Sequence, residues 1–354
     1  MTNLSNFLFY RGRNNKALGQ DVLVLVNELL GKPFGISPEF KLIDFGSWRD
    51  GCPNDRIIDF NNIEGKNIIF FDSLISKTAM LDFLSLVYAF KHQYKAARVI
   101  AVNPFILVRR NDHEEKLEEI QYLKQYLHFL SVAGADELIT CTPHSDYMGI
   151  EAQKFGIKFR PAYMDFSRTL KTIIPKNENI FVYSPDKGSI PRAIAHAKKI
   201  PGSVVVFDLK VRKKNNQTEI VNADEENIEA IKQTFSQEFG LDIKMIKHIS
   251  EVDVTGANVI IIDDELASGG TANSTAKKLK GLGAKSVYFA FTHPVCVNGW
   301  KLTTFFENPF EKVLAGDTII RDDTNRTGGK IVDCSTSEVI AAAIYEAIIE
   351  SLNR

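Results

Sequence analysis

Short apolar runs rich in β-branched and aromatic residues alternate with helix-patterned stretches along most of the chain, and this alternation restricts it to an α/β architecture. The runs are NIIFFDS (67–73), ARVIAVNPF (97–105) and DELITCTPH (136–144), then IFVYSPD (180–186), SVVVFD (203–208), NVIIIDDE (258–265) and SVYFAFTH (286–293). Near-continuous apolar strands of this kind are buried on both faces by crossover helices, so mostly parallel sheets are expected. Helical spacing near 77–94, 116–133, 190–199 and 272–283 supplies the crossovers. A chain of 354 residues exceeds the roughly 250 at which one hydrophobic core stops growing, so two similar α/β domains are expected. The stretch KFRPAYMDFSRTLKTIIPKNEN carries two prolines and no regular strand pattern, which places the boundary near residue 163. The expected domains are 1–163 and 164–336. A closing helix over 337–354, capped by Ser335 or Ser337, is expected to pack back on the first domain.

Charge narrows the classes of function. Lysine and arginine number 43 against 44 aspartates and glutamates, a net charge of −1, so no global field favours nucleic acid or a membrane surface. Any phosphate site must be local. No run approaches the roughly 18 apolar residues of a membrane span, and the N-terminus lacks a signal-peptide core. Cys52, Cys141, Cys296 and Cys334 lie far apart and form no CxxC pair, which argues against a zinc site or a disulfide framework and fits a reducing cytoplasm.

The most informative stretch is NVIIIDDELASGGTANSTAKKLKGLGAKSVYFAFTH (258–293). Its apolar strand delivers Asp263 and Asp264 to the carboxyl end, where open parallel sheets bind ligands. Ser268, Gly269, Gly270 and Thr271 follow. Their backbone N–H groups can curl round one phosphate at the positive end of the next helix, and glycine accepts the dihedrals this needs. The paired carboxylates can accept hydrogen bonds from vicinal hydroxyls. A phosphorylated ribose satisfies both halves. A plain strand, turn and helix is the bland reading of a GG turn alone, and the tandem of acids and SGGT outweighs it.

The stretch resembles the ribose 5-phosphate motif of the type I phosphoribosyltransferase fold, and in detail the ribose-phosphate pyrophosphokinase family. AVNPFILVRRNDHEEK, SVAGADELIT and CTPHSD in the first half are similar to that family's strand, arginine loop, "AGAD" turn and histidine-bearing strand. GSWRDGCPN resembles the "DGWPN" signature of its plant-type (class II) branch. VYSPDKGSIPRA and DLKVRKK resemble the family's "SPD–G" turn and its lysine–x–arginine loop. The likeness covers nearly the whole chain.

What the resemblance implies is a diphosphotransferase acting at the β-phosphorus of ATP, with cations and Mg²⁺ to neutralise charge. Lys210 and Arg212 are then its catalytic pair; alternating by two in an extended segment, both project to one side. Arg110, Asn111 and Asp112 grip ATP, asparagine replacing the usual glutamine. Trp48 and Asp50 form an adenine pocket that the family shares across a subunit interface, so a homo-oligomer, a dimer or larger, is implied. Cys52 stands where an acid is usual. His144 is the implied magnesium ligand, with Thr142 in place of a neighbouring acid, and Asp186 is a second magnesium or phosphate-site acid. Chemistry alone favours neither: imidazole is not magnesium's preferred ligand, and an aspartate after proline is often a turn residue. Ala267 occupies a position in the ribose-phosphate loop that many relatives fill with an acid.

Three functions remain open at this point. One is Mg²⁺-dependent transfer of the diphosphoryl group of ATP to ribose 5-phosphate. Another is the same chemistry on ADP-ribose in recycling of nicotinamide dinucleotide. The third is a non-catalytic associated subunit, which would be expected to lose Lys210 or Arg212.

Overall fold

The computed structural model describes residues 4–34, 38–112, 118–175, 178–208, 211–212, 218–219, 225–301, 309–321 and 327–353. The strands in chain order are β1 (Phe7–Arg11), β2 (Phe40–Lys41), β3 (Ile43–Asp44), β4 (Arg56–Ile57), β5 (Asn67–Phe71), β6 (Arg98–Val102), β7 (Glu137–Cys141), β8 (Lys158–Ala162), β9 (Ile180–Ser184), β10 (Val204–Phe207), β11 (Val211–Arg212), β12 (Thr218–Glu219), β13 (Ile246–His248), β14 (Asn258–Leu266), β15 (Ser286–Pro294), β16 (Lys312–Gly316) and β17 (Ile331–Cys334). The helices are α1 (Lys16–Phe34), α2 (Lys77–Tyr88), α3 (Tyr122–Ala133), α4 (Tyr147–Lys154), α5 (Ser167–Ile173), α6 (Ile190–Ala197), α7 (Glu225–Phe239), α8 (Gly270–Gly281) and α9 (Ser337–Leu352). Among the described residues, no helix is long and apolar enough to cross a membrane.

The chain divides into two compact units. The first comprises Met1–Met164, Asp317–Ile320 and Ser335–Arg354, and the second Asp165–Gly316 and Arg321–Cys334. The short segment Asp317–Ile320 therefore groups with the first unit although strands of the second flank it.

In the first unit a six-stranded sheet runs β2-β1-β5-β6-β7-β8, every pairing parallel. Alternation along each strand divides its core. On one face Phe9, Ile69, Phe71, Ile100, Val102 and Ile139 pack with the apolar stripes of α1 and α9. On the other, Tyr10, Ile68, Phe70, Val99, Ala101 and Leu138 meet α2, α3 and α4. Local chemistry sets the helix ends. The Ser76 hydroxyl accepts from the Ala79 N–H and starts α2, and Gly134, at φ 99°, stops α3 in the left-handed conformation that glycine tolerates. Glu137, wholly buried at the start of β7, is paired with Arg98 and with Arg160 Nε at 2.7 Å. Arg160 also reaches Glu346 (3.0 Å) and Glu350 (2.5 Å) on α9, so one buried carboxylate anchors the cations that hold the last helix.

The second unit has a seven-stranded parallel sheet, β13-β10-β9-β14-β15-β16-β17. Val259, Ile261, Val287 and Phe289 pack against Ala272, Ala276 and Leu279 of α8. The lysine–x–arginine segment enters a separate antiparallel pair, β11 with β12.

Several elements depart from the expected pattern. The strand expected over 97–105 ends at Val102, and the helix expected from 116 begins at Tyr122, with 113–117 outside the described residues. The proline-bearing KFRPA is strand β8, not a linker. It lies at the sheet edge, where the missing N–H of Pro161 interrupts no ladder. At α9 the N-cap residue is Thr336, whose N–H donates to Asp317 (2.8 Å), while the Ser335 hydroxyl accepts from the Ser337 N–H (3.3 Å).

Candidate functional site

Connections in the second sheet run outward from its middle. The path β9–α6–β10 goes one way and β14–α8–β15 the other, so the carboxyl ends of the adjacent strands β9 and β14 border a topological switch point, the crevice where such sheets bind ligands. Two motifs separated by about 80 residues of sequence meet there. From β9 comes Asp186, whose Oδ1 accepts from the Ser189 N–H (2.9 Å) and the Ser189 hydroxyl (2.7 Å). From β14 come Asp263 and Asp264. Asp263 Oδ1 accepts from the Asp264 N–H at 2.8 Å. The Asp264 side chain is almost wholly buried, whereas that of Asp263 is partly open.

Arg192, in the first turn of α6, joins them. Its Nη2 lies 3.4 Å from Asp264 Oδ1 and 3.7 Å from Asp263 Oδ1. The Asp263 carboxyl is held well above the usual carboxylate range, first by loss of surrounding water and next by the charge of Asp264, against the opposing pull of Arg192. No sequence pattern marks this arginine for a role, although it lies within the motif VYSPDKGSIPRA.

The glycine loop follows directly. Gly269 adopts φ 77° and is the N-cap of α8, and the Ser268 hydroxyl accepts from the Gly270 N–H at 3.4 Å. Ser268, Gly270 and Thr271 are exposed at this helix N-terminus. A Cβ built on Gly270 would meet only Ser268 Oγ, at 3.7 Å, so the loop is open to an anion. Ala267 offers no polar side-chain atom; its carbonyl accepts from Val297 N–H (3.2 Å).

Asp208, which follows β10, is a second buried acid that no sequence pattern marks. It accepts from the Tyr183 hydroxyl (2.9 Å) and Lys278 Nζ (2.6 Å). Burial works against its charge, but the hydrogen bond and charge of Lys278 outweigh that and hold its pKa low. Of the expected catalytic pair that follows, Lys210 lies outside the described residues, and Arg212 is described only as the backbone of β11, opposite Thr218.

In the first unit, Arg110, Asn111 and Asp112 end a run of turns after β6. Arg110 is exposed, Asn111 half-buried and Asp112 buried. The buried arginine is instead its neighbour Arg109, whose guanidinium lies 4.3 Å from the centre of the Phe105 ring. Asp112 accepts from the Ser145 hydroxyl at 2.5 Å, which brings it beside the loop after β7 that carries the half-buried His144. Thr142 in that loop has φ 31° and accepts from the Met164 N–H. Trp48 and Asp50 sit at the tip between β3 and β4. Gly51 at φ 86° turns the chain, and Asp50 Oδ1 accepts from the Cys52 N–H (3.0 Å). Trp48 is 60% exposed, a free aromatic face.

Among the described residues, no three His, Cys, Asp or Glu side chains converge as a metal cage. The carboxylates at the β9/β14 switch point are nevertheless the hard oxygen donors that Mg²⁺ prefers, and Mg²⁺ characteristically completes its shell with waters and substrate phosphates.

The model of the phosphoribosyl transferase domain family matches residues 160–294. The chain is 28% identical over 339 residues to a ribose-phosphate pyrophosphokinase of Ralstonia nicotianae, covering 94% of this chain and 92% of the relative. It is 24% identical to one of Deinococcus radiodurans, covering 96% and 94%. Its fold is similar to the crystal structure of phosphoribosylpyrophosphate synthetase from Mycobacterium smegmatis, with TM-score 0.72, 20% identity, and 98% and 99% of the two chains covered.

Proposed function

Because the chain belongs to the ribose-phosphate pyrophosphokinase family, we propose that it transfers the β,γ-diphosphoryl group of ATP to the anomeric hydroxyl of ribose 5-phosphate, giving phosphoribosyl pyrophosphate and AMP. The observation that carries this reading is the meeting of two acids, an open glycine loop and the Asp186 turn at one switch point, in a chain similar to such enzymes over nearly its whole length.

The anomeric oxygen attacks the β-phosphorus and AMP departs, so the protein has to hold two anionic substrates in line and balance their charge. Ser268, Gly269, Gly270 and Thr271 cradle the 5-phosphate through backbone N–H groups and hydroxyls. Asp263 and Asp264 accept hydrogen bonds from the vicinal hydroxyls and fix the ring. Lys210 and Arg212 bring positive charge to the transferring group, in the role assigned to them by resemblance. Arg110, Asn111 and Asp112 grip ATP, the arginine on its phosphates, and Trp48 with Asp50 receives adenine by stacking and by accepting from its amino group. Asp186 and His144 are each assigned to Mg²⁺ by the family resemblance; a bound ion would supply charge neutralisation for the phosphates. The protein is read as a cytoplasmic homo-oligomer, a dimer or larger. Four free cysteines suit a reducing compartment. Leu81 and Tyr88 on α2 and Phe129 and Val132 on α3 are exposed apolar side chains, which supports an assembly surface.

The test is release of AMP. Purified protein with Mg²⁺, ATP and ribose 5-phosphate is expected to produce it, and Lys210→Ala is expected to abolish release while the circular dichroism spectrum is retained. AMP released with ADP-ribose but not with ribose 5-phosphate would change the acceptor. No AMP with either would reject catalysis in favour of a non-catalytic subunit.

A further inference from the structure

Arg192 stands where a cation is electrostatically disfavoured, in the first turn of α6 beside the positive end of the helix. Its contacts explain the placement. One nitrogen, Nη2, faces Asp264 Oδ1 (3.4 Å), Asp263 Oδ1 (3.7 Å) and Ser189 Oγ (3.5 Å), and that same hydroxyl donates to Asp186 Oδ1 at 2.7 Å. Arg192 therefore touches the carboxyl end of β14 and the turn that follows β9. Its side chain is 13% exposed and that of Asp264 only 2%, so solvent screens little of the interaction. Two adjacent carboxylates, that of Asp264 buried and that of Asp263 partly open, repel one another, and without a cation one of them tends to take up a proton or swing away. A protonated or displaced carboxyl presents a different hydrogen-bonding pattern to a sugar, because a carboxylate only accepts whereas a carboxylic acid also donates.

We infer that Arg192 is the positioning residue of the sugar pocket: its guanidinium holds the Asp263 and Asp264 carboxylates as a fixed pair of acceptors for the vicinal hydroxyls of the acceptor and ties them to the Asp186–Ser189 turn. The inference rests on the reading of this edge as the ribose-phosphate pocket. It adds a consequence for selectivity. A fixed acceptor pair rewards a sugar that carries both hydroxyls, so Arg192 contributes to discrimination between ribose 5-phosphate and 2-deoxyribose 5-phosphate, whereas an arginine that merely pins α6 to the sheet would affect both sugars alike.

Calorimetric titration of the two sugar phosphates into the intact protein and its Arg192→Gln and Arg192→Lys variants tests the inference. Arg192→Gln is expected to weaken ribose 5-phosphate about tenfold and the deoxy sugar by less than about threefold, collapsing the preference, while Arg192→Lys recovers most of it because a cation is restored. Equal losses for both sugars, an unchanged preference in Arg192→Gln, or a lysine variant no better than the glutamine variant would overturn the positioning role. A second measurement does not depend on the acceptor. In crystals of ligand-free Arg192→Gln the Asp263 and Asp264 carboxylates are expected to move by more than about 0.5 Å, and unmoved carboxylates would overturn the inference. Wild-type protein that binds neither sugar phosphate would reject the acceptor reading instead, and the crystal result would still decide the role of Arg192.

Discussion

Replacing Asp72 with asparagine is expected to stabilise the first unit in a strongly pH-dependent manner. Asp72 closes β5 at 4% exposure, packed so tightly that a Cβ on Gly12 would lie 2.1 Å from its Oδ2. Burial raises its carboxyl from 3.8 to about 7, even though the Asn14 backbone N–H (2.9 Å) and side-chain amide (3.2 Å) both donate to it and oppose the shift. The folded state therefore holds the proton more tightly than the unfolded chain. The stability associated with it is complete below about 3.8 and is lost as the pH rises through about 7. At 1.36 kcal/mol per pH unit the loss by pH 8 is about 4 kcal/mol. Asparagine is neutral throughout and keeps an oxygen for the Asn14 N–H, but its own amide faces the Asn14 amide and forfeits one hydrogen bond, about 1–2 kcal/mol. The variant is then about 2–3 kcal/mol more stable than the parent at pH 8 and roughly equal to it near pH 5. For a unit of this size the thermal midpoint should rise by about 5–10 °C at pH 8 and hardly change at pH 5. Thermal unfolding followed by circular dichroism across that range is the assay. A difference between the proteins that does not vary with pH, or an asparagine variant less stable at pH 8, would refute the reasoning.

Gly269→Ala is expected to raise the KM for ribose 5-phosphate severalfold and leave that for ATP unchanged, because alanine resists φ 77° by about 1 kcal/mol; steady-state kinetics with each substrate varied will show it. Glu137→Ala removes the buried acid shared by Arg98 and Arg160, leaving Arg160 to Glu346 and Glu350 alone, and should cost about 3 kcal/mol. Urea denaturation measures that loss, and a cost below about 1 kcal/mol would show that the arginines find other partners.

The central strands were legible because burial on both faces leaves unbroken apolar runs, as in NIIFF and NVIII. The edges were harder. KFRPA is interrupted by Arg160 and Pro161, which β8 tolerates because it has a strand neighbour on one edge only, and its composition is that of a linker. The short strands FLFYR, IKH and KVLAG, and the helix α7, likewise emerge only once neighbours are in place. At the site, the acids and the glycine loop are consecutive and announce themselves. Arg192 does not, since its partners are 71 and 72 residues away in sequence and are brought to it by β9 lying beside β14. Two adjacent arginines, Arg109 and Arg110, show the same limit on a smaller scale. Composition cannot tell which of them turns inward to Phe105, and the turns after Val102 decide it.

The placement of α9 bears on how the chain is made. Ile340, Ala341, Ile344, Ala347 and Ile348 complete one face of the first sheet alongside α1, yet they leave the ribosome after every strand of the second unit. Until then Ile100, Val102 and Ile139 lack the last helix that covers their face. The first unit therefore cannot finish folding during its own synthesis. Separating the two units at residue 164 would leave the amino-terminal piece with an uncovered apolar face, so truncation there should yield an aggregating fragment and not an independent domain. Vectorial synthesis makes the first sheet wait for α9.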